Sequence, residues 1–583
     1  MVQFVQFDLF AGKQPAAILE RGATMEEKTE MRIPGPNDPD YEGPDFLWMT
    51  EQEEKKPAKR LYDDCAWAKE PDKIPEDQIA ETLETEVLIV GGGIAGLAAG
   101  ARCTDLGLKC IVIEKYHGIV SRGAHIACVD SPVMRKLGVS IDKKQFARDW
   151  MHICGSRVNE DLLWLYLNNC SDAVQWLVDL GGDAVELKLF GGRYRGPDFT
   201  EYDGTHYLIQ KPEATRYKNY AGARLMCEIL QDHCLEGEGN QIIRKTKAQY
   251  LEKDDSGRVV SCIAQGEDGK YRRFRGTRAV VLATGDIGSN KDMMRTFAPI
   301  GLVPKVNFYF PQVPDPDNPG HRTGLNQGDG HRMAYWMGAK FETPSWALSM
   351  HLQAYAFFVF FFLFVNRDGK RFMNEDTWVQ AKSIRCAMQP RGDYAFTIFD
   401  KKWFDELGDL ADITGGQFVG PMMMDYGEKW SRANGIDKAI EQYVERGFCF
   451  KADTLDELAD KMGVPKDTFL ATVARYNELY ELGEDLDYGK RSELLTSISE
   501  PPFYALKWGP ALCNVHGGVI TDTEMHILDD DYNIIPGLYA VGNVAGGLYG
   551  VDYPLLWNGN SHSRALTWAR AAIADIAKNK END

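Results

Sequence analysis

Thr85-Glu-Val-Leu-Ile-Val-Gly-Gly-Gly-Ile-Ala-Gly-Leu-Ala-Ala-Gly100 is the stretch that decides the fold. Val87–Val90 is a short apolar run, the pattern of a strand buried on both faces of a parallel sheet. Gly91, Gly93 and Gly96 follow in G-x-G-x-x-G spacing, and a helix continues through Leu97, Ala98, Ala99 and Leu106. Lys109–Glu114 is a second strand, and its terminal acid lies 18 residues past Gly96. Each part has a physical task. Gly91 permits a tight turn, Gly93 lets a pyrophosphate approach the backbone, and Gly96 lets helix and strand pack closely. The free N–H groups and positive dipole end of the helix, around Ile94 and Ala95, suit phosphate. Glu114 is placed to accept from ribose hydroxyls. Strand, glycines, helix, strand and acid in this order predict a dinucleotide site. No second G-x-G-x-x-G unit occurs, which disfavours a separate pyridine-nucleotide domain.

The chain of 583 residues far exceeds the ~250–300 at which one core stops growing, so more than one domain is expected. A net charge of −20 and a pI near 5.1 argue against nucleic acid and anionic membranes as partners. The twelve cysteines lack C-x-x-C or metal-ligand spacing, which predicts buried free thiols, no metal site and no cluster on this chain. Met1–Lys13 lacks a basic start and an apolar core, and the most apolar run, 354–365, is too short for the about 20 residues of a span. A cytoplasmic protein without a membrane span is expected, with a small-molecule substrate, an electron donor that the sequence does not name, and room for an oligomer.

Residues 1–84 form an extension rich in Pro, Lys and acids. Trp48, Leu61-Tyr62 and Trp67 either pin it to the body or lie in a mobile tail. Residues 85–340 are expected to hold the first part of the nucleotide domain. Arg122 and Gly123 belong to a loop suited to crossing the pyrophosphate, and Gln145–Leu180 reads as helical. Residues 249–252 and 259–264 read as a hairpin. Ala283-Thr-Gly285 ends a strand at the carboxyl edge of the sheet, where ligands bind. Asp329 either caps a helix or contacts the cofactor. Residues 341–508 are expected to be an inserted domain, and 509–583 the return of the nucleotide domain, with Gly542-Asn543 at a strand end and Asn558-Gly-Asn560 opening a last helix.

Together, Val90–Gly96 with Glu114-Lys115, Ala283–Gly285, Gly328–Gly330, Asn366–Glu375, His516–Gly518 and Pro536–Asn543 resemble the fumarate reductase/succinate dehydrogenase flavoprotein superfamily, which includes 3-ketosteroid dehydrogenases. The resemblance covers residues 85–575. It implies a Rossmann-like α/β FAD domain, its parallel sheet built from N- and C-terminal parts, with an inserted α+β cap. It also implies FAD as cofactor, hydride transfer at flavin N5, and a substrate held between cap and flavin. The cofactor set implied is Gly91, Gly93, Ile94, Ala95, Gly96, Glu114, Lys115, Arg122, Gly123, Ala248, Ala283, Thr284, Gly285, Asp329, Gly542, Asn543, Asn558 and Asn560.

The family pattern is broken where fumarate reductases bind dicarboxylate. The arginine expected after Asn374-Glu375 is Val379, the carboxylate-binding histidine is Asn514, and the second arginine is absent from Gly550–Trp557. A dicarboxylate needs fixed cationic donors. Gly550-x-x-Tyr553-Pro554 is similar instead to the segment in which ketosteroid dehydrogenases bond the substrate ketone through a tyrosine, and Asn543 fits that branch. Leu555-Leu-Trp-Asn departs from that branch's Pro-Gly-x-Gly. The expected substrate is therefore a neutral, bulky enone or ketone. Tyr553 would polarise its carbonyl, and Tyr355 or His351 from the cap would move the proton. Phe358, Phe360, Asn514 and Trp557 would line the pocket, with the 355–364 block serving either as that wall or as core. Reduction and dehydrogenation both remain open. Two alternatives stand beside this reading: a reductase of unsaturated carboxylates, which needs an arginine such as Arg371 or Arg385 at the flavin, and a non-catalytic FAD-fold binding protein.

Overall fold

The computed structural model describes residues 39, 41, 59–196, 200–307, 312–314, 322–351, 361–414, 424–428 and 436–578. Residues 1–61 and 62–583 are separate compact units. In the second unit, the apolar run around Val87 is the buried end of a longer strand, β1 (Ile79–Val90). Val87–Val90 are wholly buried because sheet neighbours flank them on both sides. These are β2 (Cys110–Ile113), with Val90 opposite Ile113, and β6 (Tyr271–Leu282), with Val90 opposite Leu282, both parallel.

The sheet continues through β3 (Gln241–Ile243) beyond β2, and through the hairpin β4 (Lys247–Lys253) and β5 (Val259–Gln265) on β6. From the far end of the chain, β7 (His526–Leu528) and β8 (Ile534–Ala540) complete the order β7-β8-β6-β1-β2-β3. β8 lies parallel to β6, with Leu538 opposite Val280, so one sheet is built from both ends of the sequence. On its face, α1 (Ile94–Asp105) packs against α3 (Gly222–Glu236) and α5 (Asn560–Lys578).

The predicted helix over 145–180 is two helices, Lys143–Ile153 and α2 (Glu160–Gly181). Ser156 takes a left-handed φ of 57°, and Asn159 restarts the helix by accepting from the N–H groups of Asp161 and Leu162. Residues 62–84, read as part of the extension, belong to the body. Trp67 is buried against Phe297, Tyr335 and Phe341 and donates to Thr296 Oγ1 at 3.2 Å. Trp48 lies outside the described residues.

The cap has its own antiparallel sheet of Leu363–Val365, Ala395–Phe399, Phe503–Trp508 and Cys449–Ala452, covered by helices Leu455–Met462 and Lys466–Leu482. Strand Ala347–His351, placed in the cap from sequence, pairs instead with Ala511–His516 of the return segment. All twelve cysteines are free thiols. Among the described residues no helix is long and apolar enough to cross a membrane.

Candidate active site

A cleft opens at the carboxyl end of the parallel strands. Its floor is the glycine turn. Gly91 has φ +111°, and a Cβ there would stand 2.4 Å from Ala283 O. A Cβ on Gly96 would stand 1.8 Å from Gly91 O, whereas one on Gly93 would meet nothing within 4 Å. Gly93 thus faces open space. It is also the N-cap of α1, with no side-chain cap and no acid in the first turn, so Gly93, Ile94 and Ala95 bring free N–H groups to the cleft wall. That is a cradle fitted to pyrophosphate.

Glu114 accepts from Gly92 N–H at 2.7 Å and Tyr116 N–H at 2.8 Å, which fixes its carboxylate and leaves lone pairs that would suit ribose hydroxyls. Lys115 lines the cleft and donates to Asp329 Oδ2 at 2.6 Å. Burial alone would raise the Asp329 carboxyl, but Lys115, with Arg332 and Lys247 adding to it, holds the group below its ordinary value. Asp329 is the first residue of α4 (Asp329–Trp336), does not cap it by side chain, and is absent from the cleft wall. Ala283, Thr284, Gly285, Gly542 and Asn543 lie on that wall. Arg122 also lies there and donates to Cys513 O at 2.6 Å, with Asp286 at 3.7 Å. Gly123 turns with φ +85° beneath His562.

Other expected contacts lie elsewhere. Ala248 pairs with Ala264 on β4, outside the cleft wall. Asn558 is buried and donates its N–H to Thr205 Oγ1. Asn560 accepts from Tyr549 Oη and donates to the carbonyls of Pro554 and Trp557, so its amide ties the 553–557 loop to α5 rather than facing the cleft. Trp557 is fully buried, its ring 4.3 Å from Phe146 and seated over Gly204, where no side chain competes for the space; it packs core and not a substrate pocket.

Asn514, Asn543, Ser561 and His562 also line the cleft. Tyr553 lies directly behind Ser561 and accepts its N–H at 3.4 Å. Its ring stacks on His516 at 4.4 Å and 15°. Burial pushes the phenol up to about 12, so it keeps its proton well into the alkaline range. Burial, with Arg564 and Arg122 adding repulsion, outweighs the Asn543 amide beside the His516 ring and keeps the ring neutral. His351 ends the strand opposite Ala511, and burial lowers it to about 4. It is a neutral imidazole, not a proton-charged acid, at pH 7. Tyr355, Phe358 and Phe360 lie outside the described residues. The described members of the same block, residues 361–364, are buried, and among them Phe362 and Phe364 pack on Phe399 and Trp508 as core.

Sequence reasoning missed Gln380. It is fully buried on the cap helix Val379–Ala387, accepts from Met350 N–H at 2.7 Å and donates to Asp552 Oδ1 at 2.8 Å. Asp552 in turn accepts Tyr553 N–H at 2.8 Å, so one amide joins the cap, the His351 strand and the Tyr553 loop. No motif signals such a tie. Of the arginines named for a carboxylate, Arg371 is committed to Glu375 and Asp485 inside the cap, and Arg385 is exposed.

Residues 86–559 match the family described as FAD binding domain. The chain is 26% identical to a probable fumarate reductase of Shewanella frigidimarina over 89% of this chain and 79% of that one. It is 25% identical to a vinyl phenol reductase of Lactiplantibacillus plantarum over 80% and 91%. It is 26% identical to a 3-oxosteroid 1-dehydrogenase of Mycolicibacterium smegmatis over 85% and 97%. Identity does not separate relatives named for charged and for neutral substrates, so the choice falls to the site.

Proposed function

We propose that this chain, which belongs to the FAD binding domain family and is an FAD-dependent oxidoreductase acting on CH–CH bonds, interconverts the activated C=C and CH–CH of a neutral, bulky enone or ketone of ketosteroid or aromatic type. The observation that carries the reading is Tyr553. Its hydroxyl lies behind Ser561 of the cleft wall, whose N–H it accepts, and in this reading it donates to a carbonyl oxygen and stabilises the charge that develops on it. The neighbouring polar groups, Asn514, Ser561 and the neutral ring of His516, suit a neutral carbonyl, and the cations beside them, Arg122 and Arg564, are already engaged by Cys513 O and Asn543 Oδ1. Bound FAD supplies hydride acceptance or donation at N5. Proton transfer falls to the neutral ring of His351, on the strand beside Ala511, which accepts a proton in dehydrogenation, with Tyr355 the remaining candidate donor. Asp552 and Gln380 hold the Tyr553 loop against the cap.

A second reading, reduction of an unsaturated carboxylate, is favoured by the fumarate reductase relative and by Arg122 on the cleft wall. It requires Arg122 to leave its bond to Cys513 O and its pairing with Asp286. The test is titration of the oxidised holoenzyme with 4-ene-3-ketosteroid, 4-vinylphenol, cinnamate and fumarate, followed by the flavin absorbance spectrum. The steroid enone is expected to perturb the spectrum and the acids to leave it unchanged. Saturable perturbation by an acid alone would transfer the assignment to the carboxylate reading.

A further inference from the structure

Arg564 stands one turn into α5 and is fully buried. Its Nη1 donates to Ala545 O at 3.4 Å, its Nη2 to Asn543 Oδ1, and its Nε to nothing. The guanidinium carbon lies 4.8 Å from the centre of the Tyr549 ring. No ion pair joins it to a carboxylate among the described residues; its side-chain neighbour is an amide. The buried acid that senses its charge, Glu342, is pushed up to about 7, chiefly by burial, and so carries at most a partial charge near neutrality. A buried guanidinium with no counter-charge is a costly arrangement, and such arrangements persist where a ligand completes them.

The cleft supplies the place for that ligand. Asn543 and the next helix residue, Ala565, both lie on its wall. The pyrophosphate position is accounted for by α1, and the adenosine ribose by Glu114. An extended dinucleotide therefore brings its flavin half to Asn543, Ser561 and Asn514. Two electrons and one proton convert FAD to FADH⁻, and the ring gains a negative charge that the oxidised form lacks. A positive wall favours the reduced anion over the neutral oxidised ring.

We propose that Arg564 is a positioning residue for the flavin: acting through Asn543, its uncompensated charge biases the cleft toward anionic reduced FAD and raises the two-electron potential. The inference rests on the cofactor alone and holds whichever substrate is correct. Failure of the enone reading leaves it standing, and its own failure leaves the enone reading standing.

The test is the midpoint potential of the full-length holoenzyme, titrated anaerobically with dithionite as electron source against a reference dye. Three variants are compared: Arg564→Met, Arg564→Lys and Asn543→Asp. Arg564→Met is expected to lower the equilibrium constant for reduction about tenfold, ~30 mV for this two-electron couple. Arg564→Lys should restore more than half of that shift. Asn543→Asp keeps the arginine and adds the missing carboxylate, so it should lower the potential in the same direction; it also decides the matter if Arg564→Met does not retain flavin. The proposal is overturned if Asn543→Asp leaves the potential at the wild-type value, or if the methionine and lysine variants shift it equally.

Discussion

Replacing Tyr553 by Phe removes one hydroxyl and little else. The ring stacked on His516 at 4.4 Å is retained, as is the packing of a residue only 4% exposed. The lost hydrogen bond is a long one, Ser561 N–H to Oη at 3.4 Å, and the freed N–H belongs to a residue on the cleft wall, where water replaces the hydroxyl. The loss in stability is therefore small, ~0.5–1 kcal/mol for a neutral hydrogen bond. The catalytic loss is larger. A donor aimed at a developing oxyanion in a dry site contributes ~10²–10³ in kcat. The interaction strengthens as charge develops on the carbonyl, so kcat falls while KM changes little. The assay is single-turnover reaction of the flavin with a steroid enone, run beside thermal unfolding and the flavin spectrum. The phenol is raised to about 12, so wild-type activity through this donor should also show no alkaline loss below about pH 10. Refutation would be a Tyr553→Phe enzyme within about threefold of wild type in kcat, with flavin bound and Tm unchanged.

The glycine turn separates packing from binding: Gly96→Ala forces a Cβ to 1.8 Å from Gly91 O and should abolish soluble folded protein. Gly93→Ala meets nothing within 4 Å; it should leave apo stability within ~1 kcal/mol of wild type but weaken FAD at least about tenfold, read by flavin fluorescence on titration. Burial favours the protonated form of Glu342, with its folded value raised from 4.5 to about 7. That contribution is fully present below pH 4.5 and lost as pH rises through 7; Glu342→Gln should flatten the fall in Tm between pH 5 and 8, by up to ~3 kcal/mol. Trp557→Ala should destabilise by ~3–5 kcal/mol on chemical denaturation while sparing kcat per folded, flavin-loaded molecule, because the ring fills core beside Phe146 rather than the pocket.

The nucleotide unit was legible because its physics is local. A strand, three glycines and an acid at fixed spacing describe contacts between near neighbours in sequence, and the cleft floor follows from them. The return of β8 beside β6 was signalled by Gly542-Asn543 at a strand end. Where the sequence misled, distant contacts decide. Trp557 stands beside the proposed catalytic tyrosine in sequence, yet Gly204, more than 350 residues away, opens the space that takes it into the core. Asn560 opens the last helix as expected, but its amide is spent on the carbonyls of its own loop. Gln380 and Arg564 carry no motif: a glutamine and an arginine in helices acquire meaning only when Asp552 and Asn543 are folded against them. The continuous 145–180 pattern hid a break that Ser156 and the Asn159 cap impose within a few residues.

The measurement that tests the central claim most directly is reoxidation of the anaerobically reduced holoenzyme, followed at the flavin absorbance band, on separate addition of a 4-ene-3-ketosteroid, cinnamate and fumarate. Rapid reoxidation by the steroid enone, lost in Tyr553→Phe and absent with both acids, is the predicted result. Reoxidation by fumarate or cinnamate with no response to the enone would contradict the account and place a cation, with Arg122 the first to examine, at the reacting end of the substrate.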